Sequence, residues 1–130
     1  MATAPNYAST PRFAIGQISA ANTNRDGTGT LVDVITGAAT GTRVDDITIQ
    51  AVNTTTGGMV RLFVTLDGGT TNRLIREIEV SARTPSGTVP AFRFELYDLG
   101  IILPNANARI RAATNNAEAF NVIVTRAGDF

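Results

Sequence analysis

The sequence predicts an all-β chain: a single antiparallel β-sandwich, jelly-roll-like, of about eight strands. Three observations predict it. Short apolar stretches recur along the 130 residues, split by turn residues every 8–15 positions. Inside those stretches apolar residues alternate with period two, and no segment sustains a 3.6-residue period. Thr is abundant and Trp absent, a composition that suits pleated sheets around a lightly aromatic core. Eight strands suit a jelly roll, although the pattern does not dictate which strands pair.

The elements follow in order. Residues 1–11 hold Pro5, Pro11 and small polar residues, and read as an extended arm ahead of a sandwich domain over 12–130. "RFAIGQISAAN" predicts a first strand near 12–21. "NTNRDGTG" is a turn-rich loop with Asp26-Gly27 at its tip. "TLVDVIT" is a strand at 30–36, which "GAATG" ends. "TRVDDITIQAV" is the next strand, and its Asp45-Asp46 step breaks the alternation, which predicts a bulge. "GGMVRLFVTLDGG" places Val60, Leu62, Val64 and Leu66 on one side and Met59, Arg61, Phe63 and Thr65 on the other.

"RLIREIEVSA" at 73–82 puts Leu74, Ile78 and Val80 on one face. Two registers against the preceding strand keep the apolar faces together. One sets Arg61 opposite Glu77, the other opposite Glu79. Either gives a cross-strand charge pair worth a few tenths to about 1 kcal/mol. Arg76 then falls among apolar neighbours, snorkelling at an edge or buried against a partner. "TPSGTVP" is a loop. "AFRFELYDL" at 91–99 points Phe92, Phe94 and Leu96 inward and Arg93, Glu95 and Tyr97 outward. "GIILPNAN" reads as an apolar-then-polar turn around Pro104. "ARIRAAT" at 108–114 and "AFNVIVTRA", with Phe120, Val122 and Val124 on one face, close the series.

Composition narrows the function. Apolar residues make up 43% of the chain and charged residues 17%, and 11 basic residues balance 11 acids. A neutral chain lacks the basic surplus of nucleic-acid binders, so no nucleic-acid partner is expected. Every basic residue is arginine, whose planar fork suits interfaces. There is no cysteine and no histidine, which removes thiol chemistry, the usual transition-metal ligands and the commonest general base. No apolar run is long enough to span a bilayer, and "MATAPNYASTPR" lacks a signal peptide's pattern, so neither a membrane partner nor Sec export is expected.

Motifs for chemistry are weak. Asp45 and Asp46 point to opposite faces of a strand, and Asp26, Asp67 and Asp98 sit in or near turns. No catalytic residue, cofactor or small-molecule substrate is expected. Asn22, Asn24 and Asp26 loosely echo a calcium loop but lack its distal glutamate, so an Asx-stabilised turn is favoured and no metal is expected. "GAATGTR" and "TTTGGM" lack the lysine and helix of a phosphate-binding loop. Arg109 and Arg111 share an outer face, and their balancing acids favour an ion-paired or protein-contacting surface.

Assembly fits what is left. Met59 and Phe63, Val32 and Val34, Ile75 and Ile123 lie on outward faces and suggest subunit contacts. The interface candidates are Pro5, Tyr7, Pro11, Arg12, Met59, Phe63, Arg76, Arg109 and Arg111.

Five segments carry a resemblance: "NTNRDGTG", "GTRVDDITIQA", "TTTGGMVRLFV", "REIEVSARTPSGTVPAFRFEL" and "LPNANARIRAATNNAEAFNVIV". Over about residues 13–130 the chain resembles small virion structural proteins of tailed bacteriophages and prophages. The resemblance implies a capsid decoration, or cement, protein. Such a protein is made in the host cytoplasm and sits on the outer capsid surface of the virion, often as a homotrimer, bound to the major capsid protein where capsomers meet. The alternatives are a tail-associated fibre, spike or adaptor module, and a carbohydrate-binding module. Fibre domains usually carry shaft repeats, which are missing here. Sugar-binding sandwiches use exposed aromatics, of which this chain offers Tyr7, Tyr97 and a few Phe.

Overall fold

The computed structural model describes residues 7–130, and all of its regular structure is β. The strands are β1 (Thr10–Ile18), β2 (Val32–Thr36), β3 (Thr42–Ala51), β4 (Gly58–Thr65), β5 (Asn72–Val80), β6 (Arg93–Leu96), β7 (Ile101–Leu103), β8 (Arg109–Thr114) and β9 (Phe120–Asp129). They form two sheets. The first, sheet A, runs β1-β9-β3-β6, with β7 also paired to β3; the second, sheet B, runs β2-β8-β4-β5. All strand pairs are antiparallel.

The core lies between the sheets, where alternate residues of facing strands meet. Sheet A contributes Ile18, Val44, Ile47, Ile49, Phe120, Val122 and Val124, and sheet B contributes Val60, Leu62, Ile78, Val80, Ile110 and Ala112. Phe92 meets Phe120 edge-on, with ring centroids 6.5 Å apart, the geometry an aromatic quadrupole favours.

Four bulges correct the regular alternation; one lies in β2, where Val34 is the extra residue in the pairing to β8. The expected one lies in β3, where pairing to β9 shifts on either side of Asp46. A third lies in β9 at Thr125-Arg126, opposite Phe13. The fourth, in β5, was not expected. Arg61 pairs with Glu77 as in the first of the two registers, but Leu62 faces Arg76 and Phe63 faces Leu74, leaving Ile75 as the extra residue. That insertion turns Leu74 to Phe63's side, away from Ile78 and Val80.

Other boundaries also move. β1 begins at Thr10, so Thr10 and Pro11, assigned to the arm, pair with Asp129 and Gly128. Pro11 is tolerated there because β1 is an edge strand. β7 adds a ninth strand where a turn was expected, since Ile101 and Leu103 pair with Val44 and Thr42. Leu66, expected inward, lies past the end of β4 and is exposed. β6 is only four residues long, so Phe94 is 43% exposed at the sandwich's edge.

Candidate interaction surface

The two outer faces of the sandwich differ. Sheet B's face is covered by the chain's own loop, residues 19–31, and side-chain hydrogen bonds hold that loop in place. Buried Asn22 donates from its amide to the carbonyls of Thr28 and Thr30, at 3.0 and 2.9 Å, and its backbone N–H donates to Thr114 O at 2.8 Å. Asp26 accepts from the Thr28 backbone and hydroxyl. The alternating Asn and Asp residues that echo a calcium loop therefore serve the loop's own turns. Gly27 sits at the tip with φ +87°, and a Cβ there would lie 2.2 Å from Asn72 O. Glycine meets both demands: the left-handed backbone and the close approach.

Charge ties the same loop to the sheet. Arg25 reaches Glu77 at 3.1 Å, and Glu77 also accepts from Arg61 at 3.2 Å. Arg61 is 4% exposed. Arg111 donates to Leu31 O and, at 2.8 Å, to Asp33. Phe63, cross-strand from Arg111, is fully buried outside the main core cluster. The hydrogen bond from Arg25, followed by the pull of Arg61, holds the Glu77 carboxyl below its ordinary value near 4.5. A depressed carboxylate contributes stability that is complete above its ordinary value and is lost as pH falls through the lowered one. Glu77→Gln is thus expected to melt below wild type at pH 7, with the gap closing below pH 4.5. A melting series from pH 7 to 2.5 measures this, and a constant gap would contradict it.

Among the described residues, nothing covers sheet A's outer face in this way. Along β1, Phe13 is 64% exposed and Ile15 is 55% exposed. Both lie on the outer face because Ala14 and Gly16 take the inner one. Gly16 has to be small, since a Cβ there would stand 2.8 Å from Asp33 O of β2. Ile15 continues across the face into half-buried Ile123 and buried Thr48. Charges on this side are satisfied locally. Arg126 pairs with Asp46 at 3.0 Å and Asp98 at 2.8 Å, Arg43 with Asp45, and Arg93 with Glu95. Tyr97, also exposed, donates to Glu95. The face is therefore an apolar strip bordered by internally paired ions.

A cleft opens at the far side of the sandwich, between edge strands β5 and β6. It encloses about 540 Å³ and is lined by Ile78, Phe94 and Leu96, with Arg76, Glu77, Glu79 and Ser81 around them.

The residues expected at an interface fall in several places. Pro5 lies outside the described residues. Tyr7 is strongly exposed ahead of β1, and Pro11 is exposed within it. Arg12 binds Asp129 at 3.0 Å and the Thr36 carbonyl, tying β1 to the chain's own strands. Phe63 is fully buried and is not available to a partner. Met59 is half-buried opposite Glu79. Arg109 and Arg111 share Asp33, which makes the arginine stripe an ion-paired one. Arg76 is exposed on edge strand β5 at the cleft, its snorkelling alternative. Phe13 and Ile15 were missed. Their signal was the small pair Ala14 and Gly16, which marks the crowded face of the strand. No family model and no curated protein matches the chain.

Proposed function

We propose that this chain is a non-enzymatic structural protein of a phage virion. In this reading it is a capsid decoration protein that forms a homotrimer and binds the major capsid protein on the outer shell where capsomers meet. The observation that carries the reading is the Phe13–Ile15 strip on a face whose charges are already paired. An apolar strip without local cover marks a contact with another protein surface. The virion assignment follows from the resemblance of the strand-and-turn segments. Two further features support it. Counted as one interrupted strand, β6 and β7 give eight strands in the orders 1-9-3-6/7 and 2-8-4-5, which favours the jelly-roll arrangement. Cross-strand ion pairs within each sheet and a closed core suit a protein whose task is to stay rigid while several weak contacts add by avidity.

The test is incubation of the purified chain with expanded, undecorated capsids. Saturable binding at a fixed number of copies per capsomer junction is expected. Removing residues 1–9 leaves β1 intact and is expected to lower occupancy while the circular dichroism spectrum stays unchanged. Equal occupancy would remove the arm from the contact, and no binding by the full chain would reject the decoration role.

A further inference from the structure

We propose that the free edge of β5 is a docking site for an acidic, extended segment of a partner protein, held by Arg73 and Arg76. The site is separate from the Phe13–Ile15 strip, and the inference does not depend on the decoration role.

The state of the other arginines singles out these two. All but three of the chain's arginines reach a carboxylate within 3.2 Å, and one of those three, Arg83, donates to Pro90 O at 2.6 Å. Arg73 and Arg76 engage nothing among the described residues, and residues 1–6 hold no acid that could pair with them. Both are exposed on β5, the outermost strand of sheet B.

The β5 bulge brings the pair together. Residues three apart on a regular strand point to opposite faces. With Ile75 as the extra residue, Arg73 lies opposite Val64 and Arg76 opposite Leu62. Val64 and Leu62 are alternate residues on the inner side of β4, so both arginines belong to the inner side of β5, on backbone positions about 7 Å apart. Bulges re-aim side chains in this way and are over-represented next to functional sites.

Two further carboxylates lie close, and neither neutralises the pair. Asp67 accepts from the Thr65 hydroxyl and the Thr71 N–H, at 2.8 and 2.9 Å, within its own turn. Glu79 pairs with Met59 and so lies on the other side of β5. The two cations therefore match a ligand with two carboxylates on one side, about 7 Å apart, which is the spacing of alternate residues in an extended peptide. Apolar clefts flank them: one of about 420 Å³ beside Arg73, lined by Val64, Leu66 and Ile75, and the β5–β6 cleft beside Arg76. Apolar residues on either side of the acids have a place to go. A nucleic-acid strand also carries regularly spaced charge, but a neutral chain with apolar clefts at both ends of the arginine pair favours a peptide. The bulge and the charged side chains blunt the β5 edge against backbone pairing, so side chains do the recognising.

The test is fluorescence anisotropy of the full chain with a labelled peptide in which Asp alternates with Val. Saturable binding is expected. Arg73→Gln and Arg76→Gln are each expected to weaken it about fivefold, the upper end for an exposed ion pair, and the double variant to abolish it. Arg43→Gln, an equal change of net charge at an exposed position of sheet A, is expected to leave affinity unchanged. A peptide of the same composition with its Asp residues adjacent puts acids on both sides of the chain and is expected to bind at least about fivefold more weakly, the loss of one such pair. Equal binding of the two peptides, or an equal loss with Arg43→Gln, would mean unspecific attraction and overturn the proposal. Absence of binding would overturn it as well. An oligothymidylate that binds more tightly than the alternating peptide would replace the acidic segment with a nucleic-acid strand.

Discussion

Phe120→Ala is expected to lose about 3–5 kcal/mol of folding stability, the usual range for emptying an aromatic site in a packed core. Phe120 is fully buried at the start of β9. It faces Ile18 of β1 and Ala51 of β3 across the sheet, and the edge of Phe92 packs on it. Truncation removes the aromatic pair and leaves a void that two strands and a loop must collapse to fill. A domain of this size is stable by only about 5–15 kcal/mol, so the loss is a large part of the total. Urea unfolding measures it, with the midpoint falling and the slope unchanged. Phe94→Ala is the matched control: at the same residue type but nearly half exposed, it is expected to cost under about 1.5 kcal/mol. Equal losses for the two would mean that the core is not centred where the burial places it.

The contrast between those two phenylalanines shows what the sequence could reveal. Alternation put Val60 and Leu62, and Phe120, Val122 and Val124, on faces that prove to be core, because period two survives in bulge-free stretches that have neighbours on both sides. It put Phe92, Phe94 and Leu96 inward alike, and parity was right for all three. Exposure differs because β6 is short and lies at an edge, a property of strand order that no local pattern carries. Asp45-Asp46 announced its bulge, since two charged neighbours cannot both avoid the core. The β5 bulge gave no such sign: Ile75 is as apolar as its neighbours, so the slip that turns Leu74 outward is silent in the sequence.

The candidate surface was legible by halves for a related reason. Of the apolar residues read as outward, Val34 belongs to the core and Val32 and Ile75 pack against it; for the rest, the source of the cover is a long-range fact. Phe63 and Arg61 are buried within the chain itself, where Arg25 of the 19–31 loop shares Glu77 with Arg61. Phe13 and Ile15 find no cover among the described residues. In "RFAIGQI" the larger residues look like the inward set, and the small pair Ala14 and Gly16 points the other way only once the closeness of β2 to Gly16 is known. The strip is thus a consequence of how tightly the two sheets meet at the β1–β2 corner.

Replacing both Phe13 and Ile15 with Asp is expected to abolish self-association without unfolding the domain. Each side chain already stands more than half in water, so its loss should change stability by only about 0.5 kcal/mol, as at ordinary surface positions. At an interface the balance is different. Full burial of a large apolar side chain is worth about 1.5–3 kcal/mol, and each aspartate would add an unpaired charge that must be desolvated. Light scattering is expected to show the wild type near three times 13.7 kDa and the double variant near 13.7 kDa. Loss of the trimer also removes avidity, so binding to capsids should weaken by about 10²–10⁴-fold even though the arm and the rest of the surface are unchanged. A double variant that stays assembled would remove the strip from the interface. One that becomes monomeric yet decorates capsids with undiminished affinity would show that the strip serves the copies of this chain and that each copy binds the shell independently.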